Sequence, residues 1–224
     1  NVGSNSALTT LECSQNALTS LDVSSNNSLQ TLICILNNIT SLTTTGCVNL
    51  NFLNCGGNQI TSLDLSTNTQ LVNINASLNL LSSLDLTGLT GLTFLECQLN
   101  SITSLDVSAC TGLTHFNCAA NALTNLNMQN GNNTNLTYFN AVQNFALTCI
   151  EVDIPTYMNS TWSAAKDAGA SFSLDCSFNP TVLVVEENGL NGAFTTINAA
   201  LASATDGDTI LIYPRSGGLP FVED

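Results

Sequence analysis

The chain has 224 residues, with two Lys+Arg against sixteen Asp+Glu and a net charge of −14. That balance excludes binding to nucleic acid or to an anionic membrane surface, because both rely on basic contacts. Hydrophobic residues make up 44% of the chain, which excludes disorder, and no apolar run nears the roughly 18 residues of a membrane span.

From its first residues the chain repeats itself. A leading leucine recurs every 21 residues, at Leu8, Leu29, Leu50, Leu71, Leu92 and Leu113. A fixed period in the twenties marks a solenoid, in which each unit buries its apolar face against the next. Residues 1–8 align with residues 22–29. The chain is therefore expected to open inside a repeat and to belong to a longer protein.

Residues 92–112 show the unit. Its first half places Leu95 and Cys97 in alternation with Phe94, Glu96 and Gln98. Alternation with period two predicts a short strand whose apolar side faces inward. The second half repeats the alternation, with Leu105 and Val107 inward and Ser104, Asp106 and Ser108 outward. No helical pattern fits between the halves. The expected fold is a mainly β solenoid with short parallel strands on both legs and little helix.

Each register position then becomes a column. Cys13, Cys34, Cys55, Cys97 and Cys118 follow the leading leucine by five residues, with Ala76 in the same place. The expectation is a core ladder of reduced thiols, since free Cys behaves as a small buried hydrophobe and no His or acidic partners stand at inward positions for a metal. Cys47 and Cys110 share a turn position three coils apart, too far to pair with each other. Asn16, Asn37, Asn58, Asn79, Asn100, Asn121 and Asn144 form a turn column, expected to satisfy backbone groups there.

The outward positions of the first leg are the candidate binding face. One column carries Phe52, Asn73, Phe94, His115 and Tyr138; the next carries Asn54, Asn75, Glu96, Asn117 and Asn140. Aromatic rings beside amides suit a sugar or a protein partner, and they also stabilise a sheet through cross-strand pairs. On the second leg Asp64, Asp85 and Asp106 align. They are expected to accept local backbone hydrogen bonds, with a row of calcium ions as the alternative.

The first half-repeat, L-x-x-L-x-C-x-x-N-x-[L/I], resembles the leucine-rich-repeat consensus. Residues 147–176, LTCIEVDIPTYMNSTWSAAKDAGASFSLDC, resemble the C-terminal cap of secreted bacterial leucine-rich-repeat proteins. That resemblance implies that Trp162 and Phe172 cover the last coil. Cys149 and Cys176 frame the cap outside the ladder register, and a disulfide between them is expected. Residues 182–214 resemble the N-terminal cap of right-handed parallel β-helix proteins such as pectin esterases and polysaccharide lyases. A strand, a short helix over 194–204, a turn at 206–208 and a second strand are expected, after a linker at 178–180. The expected organisation is a solenoid over 1–146, its cap over 147–178, and a linker with the beginning of a β-helix domain over 179–224.

These resemblances imply a non-catalytic binding or adhesion module of a large exported bacterial protein. It would be secreted or held on the bacterial outer surface, and its partners would be glycans or surface proteins. The alternative they imply is the targeting arm of a β-helix polysaccharide lyase or esterase whose active site lies beyond Asp224. No constellation of acid, base and nucleophile is visible, so no enzyme activity is expected of these residues. Calcium aside, no cofactor is expected, and neither a nucleic-acid partner nor membrane insertion.

Overall fold

The computed structural model describes residues 2–176, 182–185, 196–204 and 209–212. They belong to two compact units, Asn1–Asp175 and Cys176–Asp224.

The first unit is a parallel β-solenoid. Its elements are β1 (Thr10–Glu12), β2 (Ser20–Asp22), β3 (Thr31–Ile33), β4 (Ser41–Thr43), β5 (Phe52–Asn54), β6 (Asn73–Asn75) and β7 (Phe94–Glu96), then β8 (Ser104–Asp106), β9 (His115–Asn117), β10 (Asn125–Met128), β11 (Tyr138–Asn140), β12 (Cys149–Val152), helix α1 (Pro155–Trp162) and β13 (Ser171–Ser173). The front leg is one continuous seven-stranded sheet, ordered β1-β3-β5-β6-β7-β9-β11. All its pairs are parallel and in register, so that Leu32, Leu53, Ile74, Leu95 and Phe116 stand in one line. Each of those five is fully buried. Burying a side chain of that size stabilises by about 1.5–3 kcal/mol, and the alternation delivers one such residue per coil at this position alone.

The second leg is less regular than the sequence predicts. It pairs as β2-β4 and as β8-β10-β12-β13, and no strand forms at residues 62–64 or 83–85. Leu63 and Leu84 still point inward, at 7% and 6% exposure. The core is therefore continuous where the ladder is not. Side chains bridge the coils there instead: Thr44 Oγ1 lies 3.3 Å from Asp64 O and 2.9 Å from Asn68 Oδ1.

The cap grows out of the second leg. β12 and β13 extend that sheet, with Ile150 opposite Phe172. Pro155 opens α1, where its missing N–H costs nothing, and Met158 is fully buried. Phe172 and Trp162 both pack on Phe139 of the last front strand, at centroid distances of 6.2 and 6.3 Å. The aromatic cover expected of Trp162 and Phe172 is in place. The Asp167 carboxylate accepts hydrogen bonds from the Gln143 and Asn144 amides, at 3.0 and 2.7 Å. Cys149 and Cys176 are disulfide-bonded, as expected.

In the second unit, β14 (Val182–Val185) and β15 (Thr209–Ile212) pair in parallel, and helix α2 (Ile197–Ser203) lies between them in sequence. Thr196 caps α2, its hydroxyl accepting from the Ala199 amide at 3.1 Å. A helical crossover between parallel strands is common to many folds. The expected linker at 178–180, the start of the expected helix at 194–195 and the turn at 206–208 lie outside the described residues.

Candidate functional site

The front sheet brings its two outward columns together as the register requires. Phe94 pairs with His115 and His115 with Tyr138, while Asn73 separates Phe52 from Phe94. The expected aromatic line is thus a lone Phe52 and a compact group of three. In that group the rings are stacked. Phe94 and His115 have centroids 4.0 Å apart and planes 13° apart; His115 and Tyr138 are 4.5 Å and 10° apart. At these spacings no ligand ring fits between them. The stack offers ring edges to solvent, with free faces only at its ends.

Glu96 ties the stack to the amide column. Its Oε1 lies 3.4 Å from His115 Nε2, within ion-pair range but without hydrogen-bond geometry. Its Oε2 accepts from Asn75 Nδ2 at 2.7 Å. The Glu96 and His115 side chains are 22% and 25% exposed. Asn75 is held in turn, since its Oδ1 accepts from both the backbone N–H and the hydroxyl of Ser77. Asn54, Asn117 and Asn140 use Oδ1 in the same way, accepting the amides of Gly56, Ala119 and Val142. Asn117 is itself buried. Asparagine therefore terminates four of the seven front strands, β5, β6, β9 and β11, with its Oδ1 turned to the backbone that follows.

The turn column does what the sequence predicts, and reaches further. Asn79 Oδ1 accepts the Ile60 amide at 3.0 Å, while its Nδ2 donates to the carbonyls of Cys55, Ala76 and Ser77. Asn58, Asn100 and Asn121 repeat the pattern. Each side chain closes its own turn and bonds the coil before it.

Two columns escaped the sequence reading. At the other turn, Asn26, Cys47, Asn68, Cys110 and Asn130 are buried. Asn68 Nδ2 donates to the Thr44 and Cys47 carbonyls, and Asn130 Nδ2 to the Cys110 carbonyl. The recurrence of Asn5, Asn26 and Asn68 at 21 and 42 residues is the signal that could have found it. The second column is conformational. Gln15, Leu36, Gly57, Leu78, Leu99, Ala120 and Gln143 all have φ between 53° and 67°, the left-handed region that disfavours residues with a Cβ.

The aspartates of the second leg serve their own turns. Asp22, Asp64, Asp85 and Asp106 each accept the amide two residues on, at 2.8–3.0 Å. Hydrogen bonds from Ser24, Ser66 and Thr87 hold the carboxyls of Asp22, Asp64 and Asp85 below the ordinary range. The ladder thiols, Cys13 included, are free. Burial pushes Cys34 and Cys97 up to about 12 and Cys110 to about 11. Such thiols carry almost no thiolate, which is the reactive form.

The functional domain of InlJ from Listeria monocytogenes, which includes a cysteine ladder, is 36% identical over 69% of this chain and 37% of that one, with a TM-score of 0.60. A leucine-rich-repeat protein of Leptospira interrogans is 18% identical over 77% of this chain and 56% of its own, with a TM-score of 0.50. The fold is a leucine-rich-repeat solenoid. The plant peptide hormone receptor RGFR1, solved in complex with RGF2, shares this leucine-rich-repeat fold at 21% identity and a TM-score of 0.56, over 96% of this chain and 37% of the receptor. The chain spans about a third of the InlJ structure it matches, 37%. No protein-family model matches it, and no curated protein does.

Proposed function

We propose that this chain is a non-catalytic protein-binding module that presents its front sheet to a partner. The observation that carries the reading is the Phe94–His115–Tyr138 stack with Glu96 alongside. Three rings stacked edge-outward on a sheet lose little freedom on binding, and the partly buried Glu96 carboxylate beside them adds a specific acceptor. A solenoid supplies extended surface of this kind rather than a deep pocket. Ring edges suit apolar and hydrogen-bonding protein side chains. A sugar ring would need an open aromatic face, which the stack offers only at its ends, so we favour a protein partner over a glycan.

The module would work outside the bacterial cytoplasm. A disulfide such as Cys149–Cys176 forms and persists in oxidising compartments. The thiols of Cys34, Cys55, Cys97 and Cys118 escape oxidation there because burial keeps them protonated. The likeness to the InlJ domain supports the same setting. The reading of the chain as the arm of a β-helix enzyme rests on sequence resemblance alone.

The test is a peptide-display selection on the wild-type chain, followed by affinity measurements of the selected peptides on F94S/Y138S. Selected binders should lose at least tenfold in affinity while the variant keeps its melting curve. Undiminished binding would remove the front face from the reading.

A further inference from the structure

We propose that the turn after the front strands is a docking ridge for a basic polypeptide with an apolar face. This rests on the reading of the chain as a protein-binding module and adds a second surface to it.

The backbone of that turn has a structural reason. In the left-handed conformation, the amides of Leu36, Leu78 and Leu99 donate to the carbonyls of Gly56, Gln98 and Ala119 in the next coil, each at 3.0 Å. The ladder between coils is thereby prolonged past the end of the strand. The side chains at the position have no such reason. Gly suits a positive φ and Asn tolerates it, yet Gly appears only at Gly57 and leucine appears three times. Those leucines gain little from the fold, since Leu36, Leu78 and Leu99 are 53%, 53% and 48% exposed.

They also have company. Two residues further along the same turn, Leu80 is 55% exposed and Phe145 86% exposed. Leu36 lies over Gly57, where an added Cβ would come within 2.9 Å of its Cδ2. Glycine at that coil thus leaves room for the leucine of the coil before. Coils stack about 4.8 Å apart, so Leu78, Leu80 and Leu99 stand on two neighbouring coils, Leu36 reaches over Gly57 toward them, and Phe145 stands two coils beyond Leu99 on the same edge. Exposed large apolar side chains gathered along one edge in this way mark interaction sites.

Charge selects the occupant. Before Lys166 the chain has eight carboxylates (Glu12, Asp22, Asp64, Asp85, Glu96, Asp106, Glu151 and Asp153) and no Lys or Arg. A second copy would bring like charge to like charge. A segment that carries apolar side chains flanked by Lys or Arg matches both the ridge and the field around it.

The experiment uses three labelled 16-residue peptides: alternating Leu and Lys, alternating Ser and Lys, and alternating Leu and Glu. Fluorescence anisotropy is read against the wild type, L36N/L78N/L99N and F94S/Y138S. Asparagine accepts the left-handed conformation, so the triple variant should melt no lower than wild type. The Leu/Lys peptide should bind wild type and F94S/Y138S alike and lose at least tenfold on the triple variant. The Ser/Lys peptide should bind weakly and equally to all three. Equal Leu/Lys binding by wild type and triple variant overturns the ridge, as does Leu/Glu binding that matches Leu/Lys. Loss in F94S/Y138S alone moves the peptide to the front face, which overturns the ridge and leaves the module reading standing. A wild-type dimer in sedimentation that the triple variant lacks assigns the ridge to a second copy and overturns the proposal.

Discussion

Two polar columns run along the solenoid, and they carry very different weight. Asn37, Asn58, Asn79 and Asn144 of the front turn are buried and bond the preceding coil. The aspartates of the second leg, Asp64 and Asp85 among them, are exposed and bond only their own turn. A buried donor or acceptor that loses its partner keeps its full desolvation cost, whereas an exposed one turns to water. Recurrence at a register position therefore marks geometry. Burial and reach across coils decide how much that geometry is worth.

Substitutions can break this contrast in order of size. Asn79→Ala strands the buried Ile60 amide and removes one of two donors from the Cys55 carbonyl, which keeps Asn58 Nδ2, and should destabilise by about 3 kcal/mol, measured by denaturant unfolding. Asn68→Ala tests whether the opposite turn obeys the same rule. It loses bonds to the Thr44 and Cys47 carbonyls and should cost about 2 kcal/mol. A loss as small as that of an exposed residue would show that burial and reach across coils are not enough where both carbonyls keep a backbone donor, as these do from Cys47 and Leu50. Leu99→Asn acts in the opposite direction. It keeps the amide bond to Ala119 and relieves a positive φ of 59°, so stability should rise by up to about 1 kcal/mol.

Asp85→Ala should shift the melting temperature by no more than about 2 °C. The smallest effect is in pH. The folded-state pKa values of Asp22, Asp64 and Asp85 are depressed by hydrogen bonds. Their contribution is therefore present above the unfolded carboxylate value, about 3.9, and is lost as pH falls through the folded values. Melting temperature should be flat above about pH 5 and decline below about pH 4. The decline should be shallower in Asp64→Asn/Asp85→Asn.

What the sequence made legible follows from its period. A count of 21 places Leu95 inward and Phe94 outward and aligns Cys55 under Cys34, because side-chain direction in a strand depends on position alone. It does not decide pairing. Residues 61–64 and 103–106 are the same four residues, Thr-Ser-Leu-Asp. The second set contains β8 and pairs with β10; the first forms no strand. A ladder belongs to two neighbouring backbones, and a tetrapeptide describes only one. The positive φ of Leu36, Leu78 and Leu99 was hidden for a related reason. Composition pointed away from it, since leucine is a poor choice there, and the conformation is imposed by the carbonyl of the next coil. The stack at His115 was half legible: adjacency came from the register, but ring orientation is set by packing against Phe94 and Tyr138.

The turn asparagines also have a direction. Each one reaches backward: Asn79 accepts from Ile60, Asn100 from Leu81 and Asn121 from Ile102. Each asparagine closes its own turn but leaves one amide to be taken by the asparagine of the coil that comes after. In a chain synthesised from its N-terminus, the acceptor for each of these amides is made 19 residues after the amide itself. The last turn is completed from downstream too, since the carboxylate of Asp167, 24 and 23 residues on, takes the amides of Gln143 and Asn144. The segment that covers the core with Trp162 and Phe172 thus also completes the hydrogen bonding of the last turn.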